Sequence, residues 1–160
     1  MKSIAWILKY IIFPLSPFFL GALVRGLHEG FLNFIVFSPT ELSFSMAMLS
    51  LCIAINASRI REQENREALT NIFQLSVVIS LSLFAWASFI ETDINHNLNI
   101  LLNNLNNRIQ TEESVKYSYI QRINEFKIIL IKLRIAAFVL ASIIVPLAIY
   151  SNHKYELEDL

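Results

Sequence analysis

The chain has 160 residues, 55% of them hydrophobic and 16% charged, with a mean hydropathy of +0.52, which excludes an ordinary water-soluble domain of that length. Thirteen basic residues balance thirteen acidic ones, so no net positive field points to nucleic acid as a direct partner. One cysteine excludes a disulfide framework and a thiolate zinc site, and the composition that remains is that of an all-α, polytopic membrane protein whose first partner is the lipid bilayer.

A membrane-crossing helix needs about 20 mostly apolar residues, because backbone polar groups cannot stay unpaired in hydrocarbon. The first such run is about residues 4–24. It carries one charge, Lys9, near its outer turn, where the long stem can reach the headgroups. Pro14, Pro17 and Gly21 predict a kink, which serves either as a hinge or as a fitted bend. The prolines and the lack of a small-x-small cleavage site argue against a signal peptide. The connector Arg25-Gly-Leu-His28-Glu29-Gly30 gathers a base, a histidine and an acid, which reads either as a pH or ligand sensor at the interface or as a solvated turn.

Ser38-Pro39-Thr40-Glu41 has the pattern of a capping box. Serine accepts from the orphan amides, proline takes the first helical position and glutamate reaches back to the cap. The second span, about 41–58, carries a stripe of small residues, Ser43, Ala47, Ser50, Ala54 and Ala57. Small residues permit close backbone approach, so this stripe is expected to be a helix-packing and oligomerisation face, and the chain a homo-oligomer. Arg59, Arg61 and Arg66 follow in a short turn and mark it as cytoplasmic and facing a soluble partner.

The third span, about 69–90, is more polar. Gln74, Ser76 and Ser80 are candidates for a hydrated path in an oligomer; alternatively the serines bond their own backbone. Glu91 and Asp93 are expected to end this span. Seven asparagines between Asn95 and Asn107 alternate with leucines and isoleucines, in either an interfacial helix or a biased linker. Beyond them an apolar seam at alternating four and three begins with Tyr119, Ile123, Phe126, Leu130 and Leu133 and runs on through Ala137, Leu140, Ile144 and Leu147. A helix starting near Thr111 and projecting from the bilayer must bury that seam, either on the Asn-rich segment as an antiparallel hairpin or on other copies. Residues 91–130 are therefore read as an extramembrane helical insertion and about 131–150 as the fourth span, with Lys127, Lys132 and Arg134 snorkelling at the interface. Proline is absent between Pro39 and Pro146, which suits long helices.

Four spans put both termini on one side. The short arginine turn places them in the cytoplasm of a bacterium, although the long connector with Arg108, Lys116, Arg122, Lys127, Lys132 and Arg134 pulls the other way. No Asp, Glu, Lys or Arg lies at the centre of a span, which argues against an ion-coupled carrier. There is no phosphate loop, no nucleophile elbow and no metal spacing among His28, His96 and His153, and Cys52 lies inside span two. Neither enzyme activity, a cofactor nor a metal is expected. The acidic tail, Glu156, Glu158 and Asp159, reads either as a dock for a basic patch on a soluble partner or as a merely solvated end.

Four spans, the segment from Ser38 to Arg66 and the inner turn with Arg59, Arg61 and Arg66 resemble the small membrane subunits of bacterial phage-defence and exclusion systems, such as KwaA of the Kiwa system and the Rex exclusion membrane protein. That resemblance implies an inner-membrane component that oligomerises and acts as sensor or anchor for a soluble cytosolic partner. A self-contained ion channel or pore is the alternative expectation, and an assembly factor for a larger membrane complex a third.

Overall fold

The computed structural model describes residues 6–29, 37–60, 62–106 and 113–155, with the side chains of 28, 29, 101, 104–106 and 113–116 outside that description. The described residues form four helices joined by short connections, and none of them is in a strand. Helix α1 is Phe13–Glu29, entered through a π-helical turn at Leu8–Ile12; α2 is Pro39–Ala57, α3 Gln63–Asn106 and α4 Glu113–Tyr155. Each carries a run long and apolar enough to cross a membrane, so the chain is a multi-pass membrane protein by architecture.

Sequence explains how α1 survives its prolines. At the π turn the Phe13 amide bonds back five residues to the Leu8 carbonyl, a register shift just ahead of Pro14. Pro17 then leaves the Phe13 carbonyl without its usual amide, and the Ser16 hydroxyl donates to that carbonyl at 2.7 Å. A serine thus restores the bond that the neighbouring proline removes, a requirement in a solvent without water. The expected kink is accommodated inside a continuous helix.

Helix α2 is the centre of the molecule, packing against each of the other three. Its Met46, Leu49 and Ile53 are sealed among Leu15 and Phe18 of α1, Phe73 of α3 and Ala137, Ile144 and Ala148 of α4. The small stripe Ser43, Ala47, Ser50, Ala54 and Ala57 is buried to 5% exposure or less within this one chain, where it lets the neighbouring helices approach the α2 backbone closely.

Helix α3 does not stop at Glu91 and Asp93. It runs 44 residues through the Asn-rich segment to Asn106, and α4 returns beside it over 43 residues. Toward this end of the bundle the two form an antiparallel hairpin packed around Ala87, Ile90, Ile94, Ile123 and Leu133. Asp93 serves both helices of this joint: it accepts from Asn97 at 3.0 Å and pairs with Arg122 at 3.3 Å. An acid expected to end the helix instead ties it to its neighbour.

The opposite end of the bundle holds Trp6 and Tyr10 with ring centroids 5.5 Å apart and planes tilted, and Lys9 4.8 Å from the Tyr10 ring. There Lys154 lies 5.1 Å from the Tyr155 ring, and the Tyr155 hydroxyl donates to Asn65 at 3.3 Å. Aromatic rings paired with lysines are the anchors of a membrane–water interface. The start of α1, the α2–α3 turn and the end of α4 therefore lie on one face, and the hairpin on the other.

Candidate functional site

The hairpin face is where all four helices contribute polar groups to one place. Ser38 caps α2: its Oγ accepts from the Glu41 amide at 3.5 Å, and Pro39 occupies the first turn as the sequence predicts. Glu41 does not reach back to the cap. Its carboxylate is gripped through both oxygens by Arg25 of α1, with Nη1 donating to Oε1 at 2.8 Å and Nη2 to Oε2. A bidentate arginine fork outcompetes a single backbone amide for a carboxylate, which accounts for the departure from a capping box.

The freed cap hydroxyl points the other way and donates to Glu91 Oε1 of α3 at 3.2 Å. Arg134 of α4, expected to snorkel, is instead 7% exposed, and it sits in the attractive field of Glu91 and the opposing field of Arg25. Hydrogen bonds join Arg25 to Glu41 and Ser38 to Glu91, and Arg134 is buried within the field of Glu91, so two arginines and two glutamates from four helices balance in charge at one level. Burying Arg134 costs several kcal/mol unless carboxylates compensate it, so network and helix arrangement depend on each other.

Beneath the network lies an aromatic floor. Phe18 stacks on Phe37 at 5.7 Å, and Phe138 meets both edge-on at 6.2 and 5.6 Å. The three rings belong to the apolar core. Gly21 lets the carboxylate of Glu41 settle against α1: a methyl added there would stand 2.5 Å from the carboxyl carbon. The side chains of His28 and Glu29, and Gly30, lie outside the described residues, so of that connector only Arg25 is placed in the site.

The residues singled out in the sequence fall elsewhere. The seam residues Ile123 and Leu133 are buried, with Tyr119, Phe126 and Leu130 half-buried, facing α3 of the same chain. Ser80 is fully buried, Ser76 donates to the Ile72 carbonyl at 3.0 Å, and Gln74 is on another face. The three do not line a common path. Arg66 and Gln74 share a groove at the far end with Ser58, Glu67, Thr70 and Asn71, about 220 Å³ in volume. Arg59 is exposed, and Arg61 and the acidic tail lie outside the described residues.

The network itself was not singled out in the sequence, where its members read as a connector base, a capping acid, a span-ending acid and a snorkelling base. The available signal was their common level: each ends a span on the same side, two acids against two bases. Among the described residues no group of three His, Cys, Asp or Glu side chains is placed to hold a metal ion. No protein-family model, no curated protein and no solved structure matches this chain.

Proposed function

We propose that this protein is the membrane sensor or anchor subunit of a two-component bacterial defence system, set in the inner membrane and working with a soluble partner at its cytosolic face. The observation that supports the sensing role is that α3 and α4 run unbroken for 44 and 43 residues, more than a bilayer crossing needs, with the polar contacts of Arg25, Glu41, Ser38 and Glu91 beside them. The excess length is read as a hairpin outside the bilayer. A load on the hairpin bears on Glu91 and Arg134, and through Ser38 and Glu41 on α1 and the central α2. The α2–α3 turn at the other face is the output. A ligand shifts such an element only by its differential affinity for two arrangements, so the sensing role requires a second arrangement of these acids and bases. The assignment to phage defence rests on the resemblance of the four spans and the arginine turn.

The test is purification of the full chain in mild detergent from its host, with the intact mass of the complex. A stoichiometric soluble protein retained by wild type and lost from Arg59→Glu/Arg61→Glu is the expected result. A chain isolated without a soluble partner that carries current in planar bilayers would overturn it in favour of a self-contained channel. The channel reading has one observation behind it: Ser43, Ser45, Ser50 and Ser80 are buried, and their hydroxyls find no acceptor or donor among the described residues.

A further inference from the structure

The groove at the other end of the bundle has a composition that the sensing role does not use. Its floor is one face of the first turns of α3, where Arg66, Thr70, Asn71 and Gln74 follow at helical spacing, with Ser58 from the end of α2 as its wall. Arg66 is half-buried, and among the described residues no carboxylate pairs with it. The Thr70 hydroxyl oxygen is buried without a hydrogen-bond partner, and the amides of Asn71 and Gln74 have none within the described chain. Glu67 opens onto the same groove, accepting one bond from Gln63 at 2.8 Å.

The depth of the groove fixes what can reach it. It lies on the face marked by the Tyr155–Asn65 bond and the lysine–tyrosine pairs, at the level where α3 passes from the turn into its apolar run. Lipid headgroups occupy that level. An amide exposed there without a partner is costly in hydrocarbon and inexpensive beside a phosphate.

We propose that the groove lined by Arg66, Glu67, Thr70 and Asn71 binds a phosphoethanolamine group, carried by phosphatidylethanolamine of the surrounding bilayer. The guanidinium of Arg66 takes the phosphate, with the Asn71 amide as a further donor. The carboxylate of Glu67 accepts from the ammonium. Opposite charges on successive residues match a zwitterion better than an anion, and only a primary ammonium has the N–H groups that Glu67 can accept. The groove's 220 Å³ admits a headgroup and not an acyl chain, which would remain along the exposed apolar flank of α3 at Leu75, Val78 and Ile79.

The experiment is native mass spectrometry of the full chain in detergent with equal amounts of phosphatidylethanolamine, phosphatidylglycerol and phosphatidylcholine of matched chains. Wild type is expected to retain phosphatidylethanolamine about tenfold over the other two, the worth of one charge-assisted hydrogen bond. Glu67→Gln should erase that preference while leaving phosphatidylglycerol binding unchanged, and Arg66→Gln should weaken both. Melting curves of the two variants confirm that the fold persists; Glu67 is exposed, so its substitution keeps the test alive if Arg66→Gln does not fold. Equal retention of the three lipids, or a preference untouched by Glu67→Gln, would overturn the proposal. So would tight binding of soluble phosphoethanolamine by delipidated protein that retains no lipid, which would assign the groove to a free solute.

Discussion

At the scale of single residues, Gly21 shows how the charge network constrains a position that looks permissive. Glycine inside a helix ordinarily costs about 0.5–1 kcal/mol relative to alanine, so Gly21→Ala on an isolated helix would stabilise. Here the added methyl would collide with the Glu41 carboxylate, which Arg25 holds by two bonds and which therefore cannot simply swing away. We predict that Gly21→Ala lowers the thermal midpoint in detergent, whereas in a Glu41→Ala background it raises it. Scanning fluorimetry of the four proteins reads the sign directly, and a stabilised Gly21→Ala in the wild-type background would mean that Glu41 is not pinned. Such a sign cannot be read from sequence, because Gly21 and Glu41 are twenty residues apart and nothing in either neighbourhood announces the other.

At the scale of the helix, hydropathy and the scarcity of proline and glycine made all four elements legible, and Ser38-Pro39 marked the start of α2 to the residue. The end of α3 was not legible. Asp and Asn favour caps and turns locally, and only the packing of Ile94 on Ile123 and the bond of Asp93 to Arg122 turn residues 91–106 into helix. The small stripe of α2 was legible as a packing face, whereas its immediate neighbours, helices of the same chain, depend on tertiary arrangement. Helix α1 carries a prediction of its own. Ser16→Ala strands the Phe13 carbonyl and should cost about 0.5–1.5 kcal/mol, the net worth of one hydrogen bond. Adding Pro17→Ala returns an amide to that carbonyl and should recover the loss. Equilibrium unfolding in a detergent–denaturant mixture measures both, and additive losses would show that the hydroxyl is not replacing the amide.

Across the whole molecule, the two ends differ in kind. One has tyrosines, lysines, the arginine turn and a polar groove; the other has a closed acid–base network and a hairpin. Counting lysines and arginines by loop left the orientation divided, because the short turn with Arg59, Arg61 and Arg66 and the long connector from Arg108 to Arg134 pull opposite ways. The proposed orientation, with the arginine turn and both termini on the cytoplasmic side, makes a direct prediction. In a Cys52→Ser background, Glu64→Cys should be shielded from a membrane-impermeant maleimide in intact cells while Asn103→Cys reacts, both positions being exposed in the fold. The reverse pattern would invert the topology and move the hairpin to the cytosol. The length of that hairpin has an electrostatic consequence. From Arg134 at the joint back to Glu113 at the start of α4 is a rise of about 30 Å along the helix axis. The Debye length at physiological ionic strength is about 8 Å, so with the hairpin outside the bilayer, as proposed, ions in the medium screen its far end from the surface potential of the bilayer several times over. Whatever approaches the tip is attracted or repelled by the hairpin's own side chains, and a change in lipid charge that would disturb the groove at the other end leaves the tip unaffected.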